Sequence, residues 1–188
     1  MFAAKMCLAG LPNIEPVSLL VIVYTLVYGK KALYPIYIYA AMELMFWGLG
    51  LWNLMYLYVW LVLFFLTLLF RHMESPWGWA ILSGAFGLSF GLLCTPVYWI
   101  TGGWAFGLSW WISGIPWDVV HCVGNFVIAL VLVRPLRRGL SALKLRYFPE
   151  NGRTEQRGLE RCSSRPHSLF LYSARSVTTH LLRQGPKR

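Results

Sequence analysis

The chain has 188 residues, of which 57% are hydrophobic and only 13% are charged, and its mean hydropathy is positive. Soluble domains carry about 25% charged residues, so this composition excludes an ordinary water-soluble protein and predicts a polytopic membrane protein. The formal net charge of +10 does not indicate nucleic-acid binding, because the charges of residues 1–133 sum to zero and the whole excess lies in residues 134–188.

The predicted elements form one all-α transmembrane helix bundle, assigned to residues 1–140. The first stretch, "MFAAKMCLAG", is apolar but too short to span a bilayer, which takes about 20 residues. We interpret it as the outer half of a truncated first helix, which predicts an internal start and six spans in the complete protein. A signal peptide is the alternative, although no charged segment precedes the apolar stretch.

Five longer apolar runs between breaker residues are candidate spans. They cover residues 14–29, 32–50, 51–70, 79–100 and 117–133. The Gly- and Trp-rich stretch "TGGWAFGLSWWISGIP" between the last two runs is predicted to be a loop or re-entrant segment at the interface. Pro116 then falls in the first turn of the last helix, a position that proline tolerates.

The distribution of Lys and Arg predicts the orientation and the localisation, a cell membrane. Turns with Lys30, Lys31 and Arg71 alternate with turns that lack both residue types, so the cationic turns and the C-terminal tail are predicted to be cytoplasmic. Residues 141–188 are polar, basic and irregular, which predicts a disordered tail. Contact with lipid is a second interpretation of this tail.

Polar residues inside the apolar runs are the candidates for function. Asp118, His121 and Asn125 fall within an arc of about 60° on a helix, so they share one face. Glu43 lies inside the second span and Lys5 inside the truncated helix. Ionisable residues within spans face protein or a cavity and mark functional sites.

These polar residues collect at one end of the bundle, which predicts a substrate-binding cavity open to the outside. Asn13, Glu15 and Asn53 are placed at its mouth, and Trp104, Trp110 and Trp111 cover it. Aromatic walls with a few polar groups describe a small-molecule site.

Each of these residues also has a structural interpretation. Asp118, Glu15 and Asn13 suit helix N-termini, and Asn125 suits a contact between helices. Lys5 and Glu43 suit an ion pair that cancels two costly charges, and many of the tryptophans suit an interfacial belt.

Small residues and cysteines complete the pattern. Ser83, Gly87 and Gly91 recur at every fourth position, and this spacing permits close approach of another helix. The four cysteines are far apart, which favours buried apolar residues over a disulfide or a metal site. No phosphate-binding loop occurs in the sequence, so ATP has to be used by a partner.

Residues 3–140 resemble the substrate-binding S components of energy-coupling factor (ECF) transporters. The resemblance is carried by overall texture and topology, in "LPNIEPVSLLVIVYTLVYGKKALYPIYIY", "SPWGWAILSGAFGLSFGLL" and "GIPWDVVHCVGNFVIALVLVRPL". It implies a six-helix membrane protein without enzyme activity that binds a vitamin or related micronutrient. It also implies partnership with a transmembrane T component and two ATPase subunits that use ATP. The small residues Ala3 and Cys7 would belong to the helix that docks on the T component.

Two other functions remain open from the residues. An intramembrane, rhomboid-like serine protease would use Ser83 or Ser89 with His121, but "GLSF" lacks the second glycine of a GxSG arrangement. A non-functional truncated fragment is the other alternative, and it predicts that the chain fails to insert stably.

Overall fold

The computed structural model describes residues 1–7 and 16–148, and every regular element in these two ranges is a helix. Seven α-helices and one 3₁₀-helix occur there. They are α1 (Phe2–Cys7), α2 (Val17–Tyr28), the 3₁₀-helix Gly29–Ala32, α3 (Leu33–Trp47), α4 (Leu51–Leu69), α5 (Pro76–Leu88), α6 (Phe90–Gly102) and α7 (Trp104–Tyr147). The predicted mouth residues Asn13 and Glu15, Cys162, and the predicted tail beyond residue 148 lie outside the described residues.

Four helical runs are long and apolar enough to cross a membrane. They are Val17–Trp47, Leu51–Leu69, Pro76–Gly102 and Trp104–Tyr147. The prediction of an all-helical membrane protein is therefore confirmed at this level.

The first two predicted spans form one helical run. Gly29, Lys30 and Lys31 look like a break in the sequence, and the backbone does leave the α-helix at Gly29, where φ is +58°. The chain nevertheless continues through the 3₁₀-helix Gly29–Ala32 into α3. α2 and α3 have only 12 and 15 residues, each fewer than the roughly 20 that a span requires.

The predicted span 79–100 has a one-residue interruption at Ser89, between α5 and α6. The hydrogen-bond ladder continues on both sides, from Ser89 N–H to Ala85 O and from Leu93 N–H to Ser89 O. Next to this interruption, the amide of Gly91 donates outside the helix, to Asp118.

The prediction of a loop or re-entrant segment at residues 101–116 is wrong in its secondary structure. α6 ends at Gly102, Gly103 turns the chain with φ at +83°, and α7 begins at Trp104. Pro116 therefore lies inside α7 rather than in its first turn. Proline costs a helix one backbone hydrogen bond, and membrane helices tolerate it where neighbouring groups compensate.

α2 forms the centre of the bundle and packs against α4. Eight of its twelve residues are buried and the other four are half-buried; Val17, Val21, Ile22 and Val23 are fully enclosed. A helix that is apolar all round is stable only in the interior, which explains this position. On α4, Val59 and Leu63 are equally buried.

The chain divides into two compact units, Met1–Leu143 and Lys144–Arg188. The first unit contains all the candidate site residues that the structure describes. Of the second unit the structure describes residues 144–148, and α7 continues in it to Tyr147. Residues 141–147 are thus helical, although the sequence places them in the irregular tail.

Candidate functional site

Asp118, His121 and Asn125 lie on one buried face of α7. Their residues are only 6%, 7% and 2% exposed, whereas Val119 and Val123 between them are 47% and 58% exposed. The predicted sharing of one helix face is confirmed. We call these three residues the polar face of α7.

The small residues of α5 and α6 pack against this face. A methyl group at Gly87 would lie 2.8 Å from the backbone oxygen of His121, and one at Gly91 would overlap the carboxylate of Asp118. Gly84 similarly lies close to Cys122, with 3.3 Å between its added methyl group and the Cys122 oxygen. The glycine repeat therefore places α7 close to the α5–α6 backbone.

Asp118 binds the start of α6. Its Oδ1 accepts a hydrogen bond of 3.0 Å from the backbone amide of Gly91, the second residue of α6. The first amides of a helix have no partner within it and attract negative charge, so Asp118 acts as an N-terminal cap from another helix. The second carboxylate oxygen, Oδ2, is buried and has no hydrogen-bond partner among the described residues.

Asn125 connects three helices. Its Nδ2 donates to Ser18 Oγ of α2 at 3.1 Å and to the Ser83 carbonyl of α5 at 3.4 Å. The predicted role of Asn125 in contacts between helices is thus present. Its Oδ1, and the Ser83 hydroxyl, are buried without a partner in the described part of the chain.

His121 lies beside an aromatic side chain of α6. Its ring centroid is 5.0 Å from that of Phe90, and the two planes are 67° apart. Phe90 in turn lies 5.9 Å from Trp60 of α4. Within the described ranges, no hydrogen bond joins His121 to Ser83 or Ser89, and Ser89 is exposed.

Glu43 forms a second buried polar cluster with Lys5. The Glu43 side chain is 2% exposed, and its Oε2 accepts a hydrogen bond of 2.9 Å from Lys5 Nζ. The predicted ion pair is therefore confirmed. Glu43 Oε1 is buried and has no hydrogen-bond partner among residues 1–7 and 16–148.

Three aromatic residues in mutual contact connect this ion pair to the polar face of α7. Lys5 Nζ lies 5.8 Å from the ring centroid of Tyr56, and Tyr39 stacks on Tyr56 at 6.0 Å. Trp60 contacts both tyrosine rings and also Phe90, the neighbour of His121. The aromatic chain thus links the two polar clusters through α4.

The remaining predicted site residues lie elsewhere. Asn53 is half-buried at the start of α4, where its Oδ1 accepts a hydrogen bond of 2.7 Å from the Gly50 amide. Trp104 stacks on Trp99 at 4.6 Å and is 65% exposed, while Trp110 stacks on Tyr98 at 4.1 Å. Trp111 is half-buried. No contact described for these residues reaches Asp118, His121, Asn125 or Glu43.

The predicted docking residues Ala3 and Cys7 are both exposed, one helical turn apart on α1. The other cysteines differ from Cys7: Cys94 is buried and Cys122 is half-buried. The prediction of buried cysteines thus holds for Cys94 and is wrong for Cys7. Within the described ranges, no group of three His, Cys, Asp or Glu is placed to hold a metal ion.

Two surface grooves have volumes of about 550 and 420 Å³. The larger runs between α4 and α5–α6 past Val62, Leu66, Ile81 and Ala85, and the smaller lies along the valines of α7. Neither is lined by the polar face of α7 or by Glu43. The polar atoms are therefore packed between helices rather than at these grooves.

Several residues of the two clusters were not predicted from the sequence. Ser18, Tyr39, Tyr56 and Trp60 all contact the predicted polar residues or one another. Ser18 is the single polar residue in the run "VSLLVIV", and a polar residue in an apolar span is a signal of a buried polar contact. The tyrosines and Trp60 carry no such signal, because aromatic residues are common in all these spans.

Comparisons of this chain with protein-family models, with curated proteins and with solved structures found no match.

Proposed function

We propose that this chain is a membrane-embedded substrate-binding subunit of the kind that S components provide in ECF importers. It captures a small vitamin-like molecule at the outer half of the bundle, and a transmembrane T component with two ATPase subunits supplies the energy from ATP. The observation that carries the proposal is the set of buried polar atoms on Asp118, Asn125 and Glu43 that have no hydrogen-bond partner among the described residues.

Unpartnered atoms of this kind are costly. Leaving a buried acceptor without a hydrogen bond costs about 1–3 kcal/mol, and more for a charged group. Asp118 Oδ2, Asn125 Oδ1 and Glu43 Oε1 are all acceptors. A ligand that donates N–H or O–H hydrogen bonds satisfies them, which favours a donor-rich or cationic solute.

The charge balance supports the same class of ligand. Lys5 is paired with Glu43, and Asp118 forms no ion pair with a described residue. The polar face of α7 therefore carries an acid without a cation beside it. A cationic or donor-bearing solute supplies the missing charge complement, whereas an anionic solute is repelled.

A binding role fits these contacts better than proteolysis. A serine protease needs a base within hydrogen-bond reach of its nucleophile. Ser83 lies against Asn125 rather than His121, and the Ser89 side chain is exposed. The exposed pair Ala3 and Cys7 supports the docking part of the proposal, because small residues allow close approach of a partner helix.

Tryptophan fluorescence of the purified chain tests the proposal. We would titrate it in detergent with vitamins and nucleobase-like precursors and compare three proteins. These are the wild type, Glu43→Ala, and Val131→Ala, a control at a position on α7 that is 63% exposed. We expect saturable quenching by one compound at nanomolar to low micromolar concentration, weakened by Glu43→Ala and unchanged by Val131→Ala.

The rival functions predict different outcomes. Quenching by no compound, from a protein shown to be folded, contradicts a binding subunit. In a protease, His121→Ala abolishes turnover of a model membrane substrate; in a binding subunit it weakens the affinity for the solute. A non-functional fragment fails to insert stably.

A further inference from the structure

The Lys5–Glu43 pair has the composition of a binding site for an organic cation. Glu43 supplies a carboxylate that is 98% buried, and the Tyr56 ring lies 5.8 Å from the Lys5 ammonium. Tyr39 and Trp60 pack behind Tyr56. Ammonium groups are bound by carboxylates and by the faces of aromatic rings, so all the parts of such a site are present.

The ammonium in this site comes from α1. Its described anchors include the ion pair and the contact of Phe2 with Phe46, whose ring centroids lie 5.1 Å apart. Lys5 is also less buried than its partner, with a side chain that is 17% exposed against 2% for Glu43.

Glu43 is therefore held in place more firmly than Lys5. Glu43 lies on α3, which is fixed in the bundle through Ile36 and Tyr39, both 1% exposed. Lys5 reaches the same point from α1, and its side chain is 17% exposed. If Lys5 withdraws, the buried carboxylate is left without its cation, at a cost that can reach about 3–5 kcal/mol. Another cation in the same place removes that cost.

We propose that Glu43 and Tyr56 form the binding site for a cationic N–H group of the solute, and that Lys5 occupies this site as an intramolecular substitute when no solute is bound. The inference rests on the proposed function for its claim that the occupant is a solute. It adds the class of compound: a small organic ammonium that carries at least one N–H donor.

The contacts of Glu43 and Tyr56 favour an ammonium that carries N–H groups over a quaternary ammonium or an anion. Each carboxylate oxygen of Glu43 is able to accept hydrogen bonds, and Oε1 has no partner in the described part of the chain, so the occupant needs N–H donors. A quaternary ammonium keeps the attraction to Tyr56 but lacks these donors. An anion is repelled by Glu43 and cannot replace Lys5.

Replacing the Lys5 ammonium with an added alkylammonium tests the site directly. Lys5→Ala removes the ammonium, and methyl-, ethyl-, propyl- and butylammonium chlorides are then added at constant ionic strength. We expect a saturable rise in Tm that increases with chain length up to propylammonium, which supplies the three carbons and the ammonium that Lys5→Ala removes. Sodium chloride and tetramethylammonium chloride give little or no rise. The matched control, Lys5→Ala with Glu43→Gln, gives none.

A second measurement uses the wild type, in case Lys5→Ala does not fold. The acylation rate of Lys5 is followed by mass spectrometry, with exposed Lys30 and Lys31 as internal references. Trimethylammonium serves as the probe because it has an N–H donor but cannot be acylated. We expect it to raise the rate at Lys5 several-fold over the references, and Glu43→Gln to abolish this dependence.

The outcomes separate this inference from the proposed function. Suppose that neither alkylammonium rescue nor the change in Lys5 acylation occurs, while the wild type still binds one compound of the fluorescence panel. The Lys5–Glu43 pair is then purely structural, and only this inference is overturned, not the proposed function. If both effects occur but no panel compound quenches fluorescence, the cation site stands and the transport proposal loses its support.

Discussion

The backbone amide of Gly91 donates a 3.0 Å hydrogen bond to Asp118 Oδ1, and this contact joins the interruption between α5 and α6 to the polar face of α7. A methyl group at Gly91 would overlap the carboxylate, so a larger residue there would force Asp118 to move. One residue on each helix thus determines where the two helices meet. The glycine repeat and the polar face, which look like separate patterns in the sequence, form a single contact.

We expect Asp118→Ala to destabilise the protein because it leaves the Gly91 amide buried without an acceptor. The cost of about 1–3 kcal/mol corresponds to a Tm lower by roughly 3–10 °C for a chain of this size. Asp118→Asn keeps an acceptor oxygen and should lose less than half of that. Thermal unfolding in detergent measures both variants, and equal losses would contradict the capping role.

Gly87→Ala should destabilise the contact between α5 and α7. The added methyl group would lie 2.8 Å from the His121 carbonyl oxygen, a backbone atom that cannot rotate away. Overpacking of this kind costs about 1–3 kcal/mol.

Gly114→Ala is the matched control for Gly87→Ala. It also lies in a helix, but no atom lies within 4 Å of the added methyl group. Its Tm should stay unchanged or rise slightly, because alanine favours helix over glycine by about 1 kcal/mol. A Tm for Gly87→Ala equal to that of Gly114→Ala would mean that the two helices are not in close contact.

A double-mutant cycle measures the hydrogen bond between α2 and α7. Ser18→Ala and Asn125→Leu each remove one partner of the 3.1 Å bond. Hydrogen bonds between membrane helices contribute about 0.6 kcal/mol on average, so we expect a coupling energy of that size. Unfolding of the four proteins by a denaturing detergent gives the coupling energy. A coupling energy of zero would contradict the assignment of this hydrogen bond.

Removing one partner of the Lys5–Glu43 pair should cost more than removing both. Lys5→Met leaves a buried carboxylate without its cation, at a cost of about 3–5 kcal/mol, whereas Lys5→Met with Glu43→Leu removes both charges. We expect the double variant to unfold at a higher temperature than Lys5→Met. The reverse order would show that the carboxylate is stable without Lys5.

The orientation is tested by labelling single cysteines in a variant that lacks the four native ones. We expect a membrane-impermeant maleimide to label Lys31→Cys and Arg71→Cys only from the cytoplasmic side, and Leu49→Cys and Thr101→Cys only from outside. The reason is the distribution of Lys and Arg between alternate turns. All four positions are exposed in the structure, so accessibility within the protein does not limit the reaction.

The sequence by itself determined the class of the protein and the faces of its helices. Apolar runs as long as "LWNLMYLYVWLVLFFLTLLF" are stable as membrane helices because the bilayer leaves no other partner for their backbone groups. The period of 3.6 residues placed Asp118, His121 and Asn125 on one face. The pair Lys5–Glu43 followed from the cost of two charges inside a membrane.

Tertiary structure alone decided which groups meet across helices and where helices continue. Residues 101–116 contain glycine and proline, which usually end helices, yet α7 extends over Trp104–Tyr147. Membrane helices tolerate both residues where neighbouring groups satisfy the freed backbone groups. The partners of the polar residues, Gly91 and Ser18, lie 27 and 107 positions away in the chain. Contacts over such separations depend on how whole helices pack, and neither periodicity nor composition records that.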